Sequence, residues 1–209
     1  MILEGGCGSG INVVTLVNKG YKCIGIDYAK DTVGILNRYM PELDIRFGDV
    51  RKLPFLDHAF IGYWSWGVIE HFWEGYAAIA SEIFRVLKEN GYLFLVVPYM
   101  SPLRKLKARL CIYDLWLNQF PTDFYQFVFD PGSVIKYFKK VGFQLVKALP
   151  FDCIKGVKYE LPIVEPWLKK LYAYNGTNLF LKGIRIGLDT IISPIGGHSI
   201  LLIFKKFAI

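Results

Sequence analysis

Glu4, Gly6, Gly8 and Gly10 stand at alternate positions just after an apolar start, and the next apolar run, Cys23 to Ile26, ends on Asp27. Glycines between a strand and a helix let backbone N–H groups approach a ligand closely, and a carboxylate at the end of the following strand accepts hydrogen bonds from a sugar. The spacing narrows the ligand. A dinucleotide fingerprint begun at Gly6 needs glycine where Ile11 stands, and one begun at Gly8 needs it at Val13. No Lys-Ser/Thr pair follows Gly10, so a P-loop is excluded as well. What remains is an adenosine site that does not rest a pyrophosphate on a helix.

Three further clusters lie downstream: Gly48-Asp49-Val50, then Ser65-Trp66-Gly67, then Glu70-His71. With the E-x-G-x-G-x-G start and Asp27, the first of these resembles the motifs of the class I S-adenosylmethionine-dependent methyltransferases. The resemblance covers Met1 to Pro98 and returns over Phe124 to Phe151. It departs at Ile61, where the family pattern carries Asp after Phe60. It implies S-adenosylmethionine as cofactor and S-adenosylhomocysteine as product. It further implies that Glu4, Gly6, Gly8 and Gly10 form the cofactor turn, that Asp27 holds the ribose with Tyr28 also among the cofactor-binding residues, that Asp49 and the N–H of Val50 hold the adenine, and that Ser65 and Trp66 pass under the methionine portion.

Methyl transfer asks little of side chains, because holding nucleophile, methyl carbon and sulfur in line at about 3 Å supplies most of the acceleration. A general base is needed only where the acceptor must lose a proton. His71, Tyr99 and Tyr125 are the candidates, His71 because an imidazole titrates near working pH and Tyr99 because it follows a strand at the ligand-binding edge. Glu70 and His71 also suit a purely structural role in orienting the next helix.

The elements that must position these residues alternate as an α/β fold requires. Strands are expected at the start, over Tyr21–Asp27, Asp44–Phe47, Ala59–Ser65, Tyr92–Val97 and Phe143–Leu149, and at Ser199–Lys206. Helices are expected over Gly10–Asn18, Asp31–Tyr39, Gly75–Leu87 with Asn90-Gly91 as its stop, and from Asp130-Pro131 to Lys140 with Gly142 as its stop. The expected fold is a doubly wound, mostly parallel seven-stranded Rossmann-like sheet in one domain, residues 1–209. Insertions over about 99–129 and 151–197 are expected to form a substrate lid, with helical patches near Trp167–Tyr174 and Asn178–Ile192.

Leu103, Leu106, Leu110, Tyr113 and Leu117 recur at helical spacing with Arg104, Lys105, Lys107 and Arg109 between them, which predicts an amphipathic basic helix over 103–117. Such a helix would suit either solvent or peripheral contact with an anionic membrane surface. The aromatics Tyr113, Trp116, Phe120, Phe124, Tyr125 and Phe127 suit a lid over an apolar acceptor, so the expected substrate is a small, lipophilic metabolite. RNA or protein methylation is the alternative, as is a non-catalytic cofactor-binding domain. The loop Ser65-Trp66-Gly67-Val68 lacks the Asn/Asp-Pro-Pro-Tyr pattern used on base amino groups, so nucleic acid is not the expected partner.

Composition sets the outer bounds. The 209 residues are 53% hydrophobic with a formal charge of +7, enough for a substantial core without staples. Cys7, Cys23, Cys111 and Cys153 form no C-x-x-C pair and the three histidines do not cluster with them, so no metal site is expected and the thiols read as reduced, in a cytoplasmic protein. The apolar stretch Asn178–Phe204 is broken by Lys182, Arg185, Asp189 and Pro194, short of a membrane span.

Overall fold

A computed structural model of the chain describes residues 1–113, 124–173 and 177–207. Seven strands, β1 (Ile2–Gly5), β2 (Cys23–Asp27), β3 (Asp44–Phe47), β4 (Phe60–Trp66), β5 (Leu87–Pro98), β6 (Phe143–Phe151) and β7 (Ser199–Lys206), form one sheet in the order β3-β2-β1-β4-β5-β7-β6. The pairs among β1 to β5 are parallel, and β7 runs antiparallel between β5 and β6. This is the doubly wound, mostly parallel sheet expected, with a reversed strand inserted near one edge.

Helices α1 (Ile11–Asn18) and α2 (Lys30–Tyr39) serve the β1–β3 half, while α3 (Ala77–Val86) and α5 (Pro131–Val141) cover the other face. The main core lies there: Leu3, Tyr63, Leu93 and Leu95 of the sheet meet Ile79 and Ile83 of α3, Val134 and Phe138 of α5, and Leu202 and Phe204 of β7. The near-continuous apolar run of β5 reflects burial in the middle of the sheet. Asp130 caps α5 by accepting from the Ser133 N–H at 3.1 Å, Pro131 opens it, and Gly142 closes it at φ 114°.

Two expectations require correction. Asn90-Gly91 does not stop a helix: α3 has already ended at Val86, and β5 begins at Leu87. Leu87 pairs with Phe60 and Tyr92 with Gly62, so residues 88–91 bulge from the strand, with Asn90 at φ 63°. The turn residues mark a real kink, inside a strand.

The basic helix is shorter and turned over relative to its expected orientation. It spans Pro102–Arg109 (α4), and Leu117 lies outside the described residues. Arg104 is 7% exposed whereas Leu106 is 54% exposed. Arg104 and Lys107 bond Glu160, and Lys105 pairs with Asp130. Tertiary ion pairing has overridden the amphipathic pattern at Arg104 and Lys107, which turn inward, while Lys105 and Arg109 stay on the surface. The second insertion folds into α6 (Cys153–Glu160), α7 (Glu165–Tyr172) and α8 (Leu179–Gly196), and α8 packs on α4, α6 and β6. No helix among the described residues is long and apolar enough to cross a membrane.

Candidate active site

The carboxyl ends of β1 to β4 surround a cavity of about 480 Å³. This is where open parallel sheets bind ligands, because the chain turns away in opposite directions on either side of the first strand. Gly6, Gly8 and Gly10 hold φ values of 72°, 48° and 73°, the left-handed region that glycine enters without strain. A Cβ on Gly6 would fall 2.5 Å from Val68 Cγ2, while one on Gly8 would meet nothing within 4 Å. One glycine permits close packing, and the other opens a stretch of main chain to the cavity.

The acids do different work. Glu4 is 1% exposed; its Oε1 accepts from Asn12 Nδ2 at 2.7 Å and its Oε2 has no partner. Burial pushes its carboxyl up to about 7, against the hydrogen bond from Asn12 that lowers it. Asp27 ties the turn together: Oδ2 accepts from the Gly8 N–H at 2.7 Å and Oδ1 from the Ala29 N–H at 2.8 Å. Each of these oxygens keeps a second acceptor position. Asp49 takes the Arg51 N–H and guanidinium, whose hydrogen bonds hold its carboxyl below the ordinary range.

His71 lines the same cavity. Its Nδ1 lies 2.7 Å from the carbonyl oxygen of Tyr125. A carbonyl only accepts, so this bond assigns the proton to Nδ1 and leaves Nε2 with a free lone pair. Glu70, next to it, is 3% exposed with Oε2 unpartnered, and burial raises its carboxyl.

Of the residues read from sequence, the cavity brings together Glu4, Gly6, Gly8, Asp27, Tyr28, Asp49, Val50, Trp66 and His71. Gly10 instead begins α1, and Ser65 is buried beneath the strand end, so neither lines the cavity. Tyr99 and Tyr125 lie off its wall too. The Tyr99 hydroxyl donates to the Pro194 carbonyl at 3.0 Å, and the Tyr125 side chain is 74% exposed, contributing its carbonyl to His71. Phe124 and Phe127 pack on Trp73, and Tyr113 bonds Glu160; Trp116 and Phe120 lie outside the described residues. The described aromatics therefore build structure more than they line a pocket.

Sequence reading missed Asn12 and Arg51. Asn12 follows the glycines into the first turn of α1, where it can reach back to Glu4. Arg51, two residues beyond Asp49, also lies 5.2 Å from the Phe72 ring and so closes one side of the cavity. The close spacing of unlike charges at 49 and 51 was the available signal.

Residues 3–95 match the family model for a methyltransferase domain. A relative in Mycolicibacterium smegmatis, named a probable S-adenosylmethionine-dependent methyltransferase, is 35% identical over 97 residues, 46% of this chain and 37% of its own. The chain thus spans well under half the length of that relative. Among solved structures, an S-adenosylmethionine-dependent methyltransferase from Methanosarcina mazei superposes with a TM-score of 0.68 at 18% identity, covering 100% of this chain and 92% of the other. One from Archaeoglobus fulgidus gives 0.62 at 19% identity, covering 98% and 85%. At such identities the structural likeness speaks for the fold.

Proposed function

We propose that this chain is a class I S-adenosylmethionine-dependent methyltransferase that transfers a methyl group from that cofactor to a small metabolite. The observation that carries the reading is the buried Glu4 carboxyl with one oxygen unpartnered, facing a cavity whose wall also holds Asp27 and Asp49. A buried carboxylate needs a donor or cation, and the cofactor carries an ammonium group. The open face of Gly8 and the spare acceptor positions on Asp27 fit a ribose beside the turn. Glu4 would hold the methionine end, Asp27 the ribose hydroxyls, and Asp49 with Val50 the adenine.

When bound, S-adenosylmethionine supplies a methyl group on a sulfonium, which leaves as a neutral thioether. The chain's own task is to orient and deprotonate the acceptor. His71 Nε2 is the free base on the cavity wall, and the Tyr125 carbonyl fixes its tautomer and ring orientation. The buried, free thiols of Cys7, Cys23 and Cys153 support a reducing compartment, as in the cytoplasm.

Calorimetry with S-adenosylmethionine and S-adenosylhomocysteine tests the site. Asp27→Ala is expected to weaken binding by tenfold or more, roughly 1.4 kcal/mol. An unchanged dissociation constant would remove Asp27 from the site. A methyl-transfer screen against small metabolites tests the reaction, and tight binding with no turnover on any acceptor would favour a non-catalytic role.

A further inference from the structure

A second cavity of about 150 Å³ adjoins the first, and the two share Trp66 and Gly67 in their walls. At ~30 Å³ per water-sized group, it has room for about five heavy atoms. Its wall carries charged groups of both signs. Glu70 enters from the β4 end, with Oε1 at 3.5 Å from where a Cβ on Gly67 would stand and Oε2 unpartnered. The Lys155 ammonium, on α6, has no hydrogen-bond or ion-pair partner among the described residues, although the Asp152 carboxyl feels its charge and takes the Lys155 backbone N–H.

The third group is His198. Arg104 Nη2 lies 3.0 Å from its Nδ1, and a guanidinium can only donate. Nδ1 is therefore the acceptor, and the ring proton sits on Nε2. Burial, with Lys155 and Arg104 nearby, pushes the imidazole down to about 4, so it stays neutral at working pH. The fold builds this cluster deliberately close: a Cβ on Gly156 would fall 2.0 Å from the Gly196 carbonyl oxygen and 2.8 Å from the His198 nitrogen, so only glycine lets α6 bring Lys155 against this strand start.

We propose that this smaller cavity is the acceptor subsite and that it selects a small aliphatic amino carboxylate, its carboxylate held by Lys155 and the His198 Nε2–H and its amino group by Glu70. The reading rests on the methyltransferase assignment above. A zwitterion meets one fixed charge of each sign, so neither Glu70 nor Lys155 is left uncompensated in a partly dry pocket. An apolar acceptor of the same size would strand both. Glu70 is thereby a specificity-determining residue, and the lipophilic acceptor expected from the aromatic content gives way to a polar one.

The test is an NMR titration of the full chain saturated with S-adenosylhomocysteine, using glycine and β-alanine as probes and acetate, methylamine and butane-1-ol as controls. Either zwitterion is expected to bind at least tenfold more tightly than every control. Glu70→Gln and Lys155→Met should each erase that preference while leaving S-adenosylhomocysteine affinity within twofold, which also reports that the variants fold. Normal S-adenosylhomocysteine binding with no preference for zwitterions, or a preference that survives both substitutions, overturns the subsite and leaves the methyltransferase reading standing. Failure of the unaltered chain to bind S-adenosylhomocysteine overturns both.

Discussion

Among the described residues, the larger cavity is walled by residues 4–72 alone, nearly all at strand ends and in the turns that follow, whereas the smaller one gathers Glu70, Gln126, Lys155 and His198 from four separate stretches. The first is shaped by main chain: three glycines at positive φ and an aspartate that clasps two backbone N–H groups. The second is shaped by long side chains, one of which, His198, is held in a buried network around Arg104. Its guanidinium bonds Glu160 at 2.7 Å, the Tyr99 and His198 carbonyls, and the His198 ring. Burial would raise the Glu160 carboxyl, but bonds from Lys107, Tyr113 and Arg104 outweigh it and hold it low. The two histidines repeat the contrast. His71 gives its proton to a carbonyl and offers a lone pair, while His198 takes a bond from a guanidinium and offers an N–H.

This difference predicts different fragilities. Arg104→Met breaks the buried pair with Glu160, which keeps only Lys107 and Tyr113, and takes the guanidinium from the Tyr99 and His198 carbonyls; it is expected to cost about 3–5 kcal/mol of unfolding free energy in a denaturant titration. A loss below about 1 kcal/mol would mean the network does not hold the smaller cavity. Gly6→Ala places a methyl group 2.5 Å from Val68 at φ 72° and is expected to cost about 1–3 kcal/mol, with at least a tenfold loss of S-adenosylhomocysteine affinity. Retained affinity would show that the main-chain turn is less exacting than its geometry implies.

Glu4 sharpens the contrast through pH. Its folded carboxyl lies near 7, above the ordinary value of 4.5, so the folded state binds the extra proton between those values. Stability from this group is therefore full below about pH 4.5, falls as pH rises, and reaches its low plateau above 7. Relative to Glu4→Gln, the unaltered chain is expected to lose about 1–3 kcal/mol across that window, measured by melting both proteins from pH 4 to 8. Parallel stability profiles would refute the buried, half-satisfied carboxyl. The smallest effect is reserved for Arg51→Met. Its ion pair with Asp49 is exposed and screened by solvent, so the melting temperature is expected to stay unchanged, although cofactor affinity should drop by a few fold as the cavity wall opens.

Much of the larger cavity was legible in the chain. Glu4, the glycines, Asp27, Asp49 and His71 are separated by short elements of ordinary length, so reading strand, turn and helix in order is enough to gather their carbons at one edge. What failed there was local: Ser65 falls on the buried side because side chains alternate along β4, and Gly10 serves the helix start. Around the smaller cavity little could be read. The 3.6-residue pattern of Leu103, Leu106 and Leu110 argued for a buried apolar stripe, yet Arg104 took the interior because Glu160, fifty-six positions on, offered it a fully bonded partner. Tyr99 stood where a catalytic group was expected, and α8 claimed its hydroxyl.

Sequence alone determined the order of strands and helices, the glycine turn and the acids that follow it, because each depends on steric limits and periodicities acting over a few residues. Tertiary structure decided which way α4 faces, which histidine nitrogen carries its proton, and that Glu70, Lys155 and His198 share a wall. Those outcomes depend on where buried charges find partners, and a buried charge is compensated by whatever the fold brings within about 3 Å, however distant along the chain.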